Sequence, residues 1–259
     1  MTNKEYHSLE ALGSTNIKQI VDNARIFKFG TKKNPQCFEL GELFHTYILE
    51  PENAKNWEIV GTWKTRCKSF LELQETTDHK LVLESELNFL AEMKSKAHKL
   101  PNFDNIVKNS EIEKSFFAEF ETELEGKKHQ IKVKCRPDML YKNKDGRYSI
   151  IDLKSTKEQC TPNGLKRDYL NFKRPIQAQF YKRVLEANGF QIADFLFAYV
   201  SKDPDSLCGW VKYREEDEQW ADDYINNALF KYIWCKENDS FLEGSFNYVD
   251  GGFKVFVEF

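Results

Sequence analysis

Residues 134–156 read KCRPDMLYKNKDGRYSIIDLKST, and this stretch decides the fold. Its second half, Tyr148 to Lys154, is an apolar run with strand alternation: Asp152 and Lys154 share one face, Ile151 and Leu153 the other. Upstream, Gln130 to Arg136 alternates in the same way, with Ile131, Val133 and Cys135 pointing inward. Between the two runs, Asn143-Lys144-Asp145-Gly146 is turn chemistry, and Gly146 supplies positive φ. The two runs are therefore expected to pair as an antiparallel hairpin. A turn centred between Lys144 and Asp145 sets Asp138 opposite Ile151, one residue from Asp152.

Two carboxylates and an ammonium then converge at one end of a hairpin, with the charged face looking outward. Neighbouring carboxylates repel, and a divalent cation removes that repulsion. The expected cofactor is Mg2+ or Mn2+, as one or two ions. A cation held there polarises a phosphoryl oxygen and acidifies water, and Lys154 is suited to orient that water or to stabilise charge on phosphorus. These parts suit phosphodiester hydrolysis. An acid two residues before a lysine occurs four times in the chain, at Asp78, Glu92, Glu125 and Asp152. Only the last follows an apolar strand and has a Pro-Asp pair upstream. On spacing alone, an Asp138 turn cap beside a surface Asp152–Lys154 ion pair is the competing reading.

Outward from this centre, the N-terminal part reads as helical. Ser14 or Thr15 caps a helix through Ile17, Ile20 and Val21; a second runs from Cys37 to Leu49, stopped by Pro51; a third runs from Leu83 to Lys99. Strands are expected at Ser115–Glu121, Phe195–Val200 and Trp210–Arg214, helices at Arg174–Asn188 and Glu216–Lys236, and an edge strand at Phe253–Phe259. The expected class is α/β (α+β), a mixed β-sheet flanked by helices. One domain spans 1–259: a helical part to 110, a sheet core over 111–215, and a C-terminal helix and strand over 216–259. Arg174, Gln177 and Tyr181 fall on one helical stripe, suited to gripping a phosphate or positioning a water at Lys154. His45 sits in an apolar helix one turn from Gly41. It reaches the hairpin only if that helix crosses its end.

The chain has 259 residues, with 38 Lys/Arg against 41 Asp/Glu. Between Lys127 and Arg183 the balance reverses to 16 Lys/Arg against 5 Asp/Glu, the footprint of a polyanion-binding face, with Lys166, Arg167, Lys173 and Arg174 as its candidate contacts. The six cysteines have no CxxC or zinc spacing and read as reduced packing residues. No run approaches the roughly 20 apolar residues of a membrane helix, and the first residues lack a signal-peptide core. The expectation is a soluble, cytoplasmic protein with no membrane partner.

Five ordered pieces resemble the PD-(D/E)xK nuclease superfamily, and within it the RecE-like branch of phage recombination exonucleases of the exonuclease VIII type. They are Gly41-Glu-Leu-Phe-His45 with Leu49-Glu-Pro-Glu52; Glu113-Lys-Ser115; Cys135-Arg-Pro-Asp138; Ile151-Asp-Leu-Lys-Ser-Thr156; and Gln177-Ala-Gln-Phe-Tyr181. The resemblance implies metal-dependent 5′-to-3′ resection of double-stranded DNA ends for recombination. It implies that His45, Asp138 and Asp152 bind metal and that Lys154 is catalytic, with Gln177 and Tyr181 in the same site. A further acid joins the metal, and Glu86 and Glu113 are the candidates. It also implies a ring of subunits and a single-strand annealing protein as partner. The alternatives are an endonuclease of the same fold and a catalytically silent DNA-binding module.

Overall fold

The computed structural model describes residues 1, 3–30, 36–203, 205–206, 208–241, 246–249 and 252–255. The helical N-terminal region comprises α1 (Asn3–Ser8), α2 (Ser14–Phe29), α3 (Gln36–Leu49) and α4 (Pro51–Ala54). Then come β1 (Glu58–Val60), α5 (Lys68–Thr76), β2 (Leu81–Leu83), α6 (Glu84–Ala97) and α7 (Phe103–Lys108). The sheet region holds β3 (Ser110–Ile112), β4 (Phe116–Leu124), β5 (Lys127–Cys135), β6 (Met139–Lys142) and β7 (Tyr148–Thr156). After it come α8 (Pro162–Asn171), α9 (Arg174–Ala187), β8 (Ile192–Ser201), β9 (Cys208–Lys212), α10 (Glu218–Glu237), β10 (Phe246–Val249) and β11 (Gly252–Val255).

The central sheet has the order β3-β6-β7-β8-β9, and only β7 and β8 run parallel. Helices α8 and α9 make the crossover between those two strands, so the expected mixed sheet flanked by helices is present. One face is covered by α2, α9, α10 and the β4–β5 hairpin, through a core that includes Ile17, Ile150, Phe180, Phe197 and Leu229. The other face carries α3, α6 and α7, through Leu43, Phe44, Leu90, Ile151 and Leu153. Burying side chains of this size stabilises by about 1.5–3 kcal/mol each. Apolar burial on that scale fixes where α3 lies against β7.

The hairpin differs from the expected one. Strand β5 pairs with β4 in a separate two-stranded sheet, and the partner of β7 is β6, a four-residue strand the periodicity did not reveal. Pro137 explains the switch: it offers no N–H to a ladder, so the chain leaves β5 at Cys135 and starts a new strand at Met139. The register also moves by one. The loop is Lys144-Asp145-Gly146, closed by the Asn143 N–H to the Arg147 carbonyl at 2.8 Å, with Gly146 at φ 88°. Asp145 Oδ1 accepts from the Arg147 N–H at 3.0 Å. A three-residue loop pairs Met139 with Ile151, which brings Asp138 level with Asp152 rather than Ile151. A one-residue slip exchanges the faces of a strand, so this shift sets Asp138 on the side of Asp152.

Helix α8 was not expected, although its start carries a readable signal: Thr161 caps it by accepting from the Gly164 N–H at 3.2 Å, and Pro162 opens its first turn. The strand expected at Phe253–Phe259 is described only to Val255, where β11 pairs with β10 in its own two-stranded sheet; residues 256–259 lie outside the described residues. Among the described residues no helix is long and apolar enough to cross a membrane.

Candidate functional site

Register assembles the site. In β3–β6, Ile112 pairs with Met139, and in β6–β7 Met139 pairs with Ile151. The next row across the sheet end is therefore Glu113, Asp138, Asp152. The Glu113 N–H donates to the Asp138 carbonyl at 3.1 Å, so the row holds past the last strand residue. Glu113 has φ 48°, a left-handed conformation that costs a residue with a side chain about 1–2 kcal/mol. That turn ends β3 and keeps the carboxylate at the row.

Helix α3 crosses this end. His45 Nδ1 lies 3.4 Å from Asp138 Oδ2 and 4.0 Å from Glu113 Oε1. One ligand atom from each of His45, Glu113 and Asp138 falls within 4.8 Å of the others. Asp138 Oδ2 also accepts the Leu153 N–H at 2.6 Å, which ties it to β7. Gly41, one turn before His45, lines the same cleft, and among the described residues no atom beyond its own helix backbone and chain neighbours lies within 4 Å of where its Cβ would be. The floor there is open.

Asp152 is 1% exposed, so the charged face of β7 is covered by α9 and does not look outward as expected. Gln177 Nε2 donates to Asp152 Oδ1 at 2.7 Å, and Lys154 Nζ stands 2.5 Å from Oδ2. That second oxygen has ion-pair contact but no hydrogen-bond geometry. Gln177 thus binds the carboxylate directly, where the sequence suggested a water or a phosphate. Tyr181 packs by its ring against Phe180 and Phe195. Asp152 stands outside the three-residue cluster, and Glu86 does too.

Glu86 accepts bidentately from Arg66, Nε to Oε1 at 2.8 Å and Nη2 to Oε2 at 2.9 Å, and caps α6 at the Leu83 N–H. Arg66 holds Glu39 as well, at 3.0 Å. Glu86 therefore fastens two segments of the helical region, and of the two candidate acids only Glu113 reaches the cluster.

The electrostatics match a crowded anionic site. Burial and then the Asp138 charge push the Glu113 carboxyl up to about 8, against the pull of His45. For Asp138, burial alone would raise the pKa, but the His45 charge and hydrogen bond, Lys154 and the Leu153 N–H hold it low. Burial works against a charged His45, yet Asp138 more than offsets it and the imidazole pKa rises. Burial, helped by Asp138, raises Asp152 despite Lys154. Two carboxylates and an imidazole, with one ligand atom each within 4.8 Å of the others, form a set that fits a hard divalent cation.

Part of the basic block is paired with carboxylates in the fold. Lys128 pairs with Glu121, Arg167 with Glu158, Lys173 with Asp22, Lys182 with Glu218 and Arg183 with Asp222. Arg174 is drawn into a network the sequence reading missed. Asp168, 2% exposed on that side chain, accepts from Arg174 Nη2 at 2.9 Å, Tyr199 Oη at 2.9 Å and Thr156 Oγ1 at 2.9 Å. The readable signal was a carboxylate on the stripe of Gly164, Leu165 and Tyr169, the buried face of α8. Lys166 remains exposed.

A cleft of about 1400 Å³ reaches the Glu113 end of the row, lined by His45, Glu113, Lys154, Phe172 and Arg174 among others. A profile of the PDDEXK-like domain of unknown function (DUF3799) matches residues 22–244. The chain belongs to that family. The matched span contains both the Pro137-Asp138 pair and Asp152-Leu153-Lys154. A Eubacterium rectale protein, called a "putative exonuclease", has a crystal structure similar to this DUF3799 chain at TM-score 0.61 and 12% identity. The match covers 93% of this chain and 88% of that one, a likeness of fold. SSO0001 aligns at TM-score 0.33 and 17% identity, over 76% of this chain and 92% of its own. No curated protein sequence matches.

Proposed function

We propose that this DUF3799 protein is a metal-dependent deoxyribonuclease, and most specifically an exonuclease that resects double-stranded DNA ends in the 5′-to-3′ direction for recombination. The observation that carries the reading is the single cross-strand row of Glu113, Asp138 and Asp152, with Lys154 beside it and His45 above it. A merely structural sheet end has no use for three carboxylates in a row, because each is destabilised by the others.

His45, Glu113 and Asp138 would hold the cation, with Asp152 as the neighbouring donor. Bound there, Mg2+ or Mn2+ supplies Lewis acidity toward a phosphoryl oxygen and toward water. The chain's own residues do the rest. Gln177 fixes Asp152 Oδ1 so that Oδ2 meets Lys154, and the Leu153 N–H fixes Asp138. Lys154, partnered with Asp152, holds a positive charge where negative charge grows on phosphorus. Phe172 and Arg174 border the cleft along which a duplex would lie. The same proposal includes a ring of subunits working beside a single-strand annealing protein.

The test is a time course on end-labelled linear duplex and on closed circular duplex, each with Mg2+, Mn2+ or EDTA. Release of nucleotides from linear duplex alone, stopped by EDTA, is the expected result. Cutting of closed circles assigns an endonuclease. Binding without cutting under every metal condition removes the nuclease reading and leaves a DNA-binding module.

A further inference from the structure

Asp168 is a buried carboxylate outside the metal cluster, and it takes four hydrogen bonds. Its Oδ1 accepts from Arg174 Nε at 3.0 Å, Arg174 Nη2 at 2.9 Å and Tyr199 Oη at 2.9 Å, and its Oδ2 accepts from Thr156 Oγ1 at 2.9 Å. Two of these partners are tied to Lys154. Tyr199 pairs with Lys154 across β7 and β8, and Thr156 lies two residues along β7, on the face of Asp152 and Lys154. The third partner, Arg174, stands one turn of α9 before Gln177, which holds Asp152 Oδ1. The network therefore locks the guanidinium to the strand that carries the Asp152–Lys154 pair.

Stability alone is a poor reason for such a network. Removing a carboxylate and a guanidinium from water costs so much that apolar residues of similar volume hold a fold as well or better. What the pair supplies is direction. Asp168 engages Nε and Nη2, one edge of the fork, and among the described residues no other carboxylate pairs with Arg174. A guanidinium presents five N–H groups in a fixed plane, so pinning one edge aims the other. Thr156, Asp168 and Arg174 all line the main cleft, and the Arg174 side chain keeps 13% of its surface exposed. Phe172 flanks the guanidinium, which lies 4.7 Å from the ring centroid.

We propose that Asp168 is a positioning residue, which holds Arg174 so that the outer edge of its guanidinium meets a backbone phosphate beside the phosphodiester at Lys154. This rests on the reading of the cleft as a DNA-cutting site and deepens it by naming how the strand is gripped. A fork held in advance spares the ordering cost of a mobile arginine. The charge of Asp168 gives the role a signature. As a fixed negative charge beside the cleft it repels DNA, so its neutralisation should tighten binding. As a positioning residue its neutralisation releases Arg174 and weakens binding.

The test is fluorescence anisotropy on a short duplex in EDTA, where no turnover occurs. Asp168→Asn should bind about tenfold more weakly than the unaltered protein. Adding Arg174→Met to Asp168→Asn should weaken binding by less than about twofold more, because a released fork and an absent one are nearly equivalent. In Mg2+ the loss in Asp168→Asn should fall on KM and leave kcat within about twofold, since the gripped phosphate is not the one cut. Thr156→Val, which keeps every charge, should weaken binding in smaller measure, and it replaces Asp168→Asn if that variant does not fold. Unchanged or tighter binding in the variant measured overturns the role, as does a second loss as large as the first or a loss confined to kcat. If linear duplex is cut in Mg2+ while Asp168→Asn binds undiminished, only the positioning role fails. If Asp168→Asn weakens binding and nothing is cut under any metal, the nuclease reading fails and the positioning role stands.

Discussion

His45 Nδ1 lies 3.4 Å from Asp138 Oδ2, joining a helix that packs on one face of the sheet to the turn that opens β6. The contact makes an imidazole part of the anionic row, so its removal should show in metal affinity before it shows in folding. For His45→Ala, Mn2+ binding measured by calorimetry should weaken at least about tenfold. The melting temperature without metal should change little, since the ring is only half-buried. Undiminished Mn2+ affinity would remove His45 from the ligand set.

The Asp152–Lys154 pair offers a test that separates charge from shape. Lys154→Met leaves an uncompensated buried carboxylate and should cost about 3 kcal/mol of stability in EDTA. Adding Asp152→Asn should recover most of that loss, because the amide needs no counter-charge. Cleavage should be abolished in the single variant and in the double. Denaturant titrations that give single and double variants equal stability would show that the pair is not coupled.

Glu113 ties metal to pH. In the fold it holds its proton to about 8, against an ordinary value of 4.5, so the folded protein binds the extra proton more tightly than the unfolded chain. That contribution is complete below about 4.5 and is lost as pH rises through 8. The metal-free protein should therefore melt at a lower temperature at pH 8 than at pH 6. Mg2+ should raise the melting temperature more at pH 8, where the carboxylate is free to ligate. Glu113→Gln should flatten both trends, and a scan of melting temperature across pH with and without Mg2+ reads them.

Glu86 gives the opposite expectation. Its removal in Glu86→Ala takes away both Arg66 bonds and the Leu83 cap, which should cost about 1–3 kcal/mol. Metal affinity and turnover per folded molecule should match the unaltered protein. Loss of Mn2+ binding in the folded variant would return Glu86 to the site.

Exposed and committed cations in the basic block should behave differently. Reversing Lys166 and Arg167 together should lower the dependence of log affinity on log salt by about one phosphate contact, that of Lys166, since Arg167 already holds Glu158, without regard to DNA sequence. Arg174→Glu should instead disrupt the Asp168 network and lower the melting temperature. A salt slope unaltered by the double reversal would take that surface out of the DNA path.

By itself, the sequence determined the parts: a hairpin turn at Gly146, an apolar strand around Ile150–Leu153, a helix that carries His45, and an acid directly after Pro137. These follow from local periodicity and turn chemistry, which act over a few residues. Tertiary structure decided everything that depends on which strand meets which. Pro137 sent β5 to β4 and made room for β6, and one extra loop residue brought Asp138 level with Asp152. Packing of Leu43 and Phe44 against the sheet carried His45 over its end, while Arg66 took Glu86 away. For Asp168 the buried helix face was legible locally, but only the packing of three other elements brings Thr156, Arg174 and Tyr199 to it.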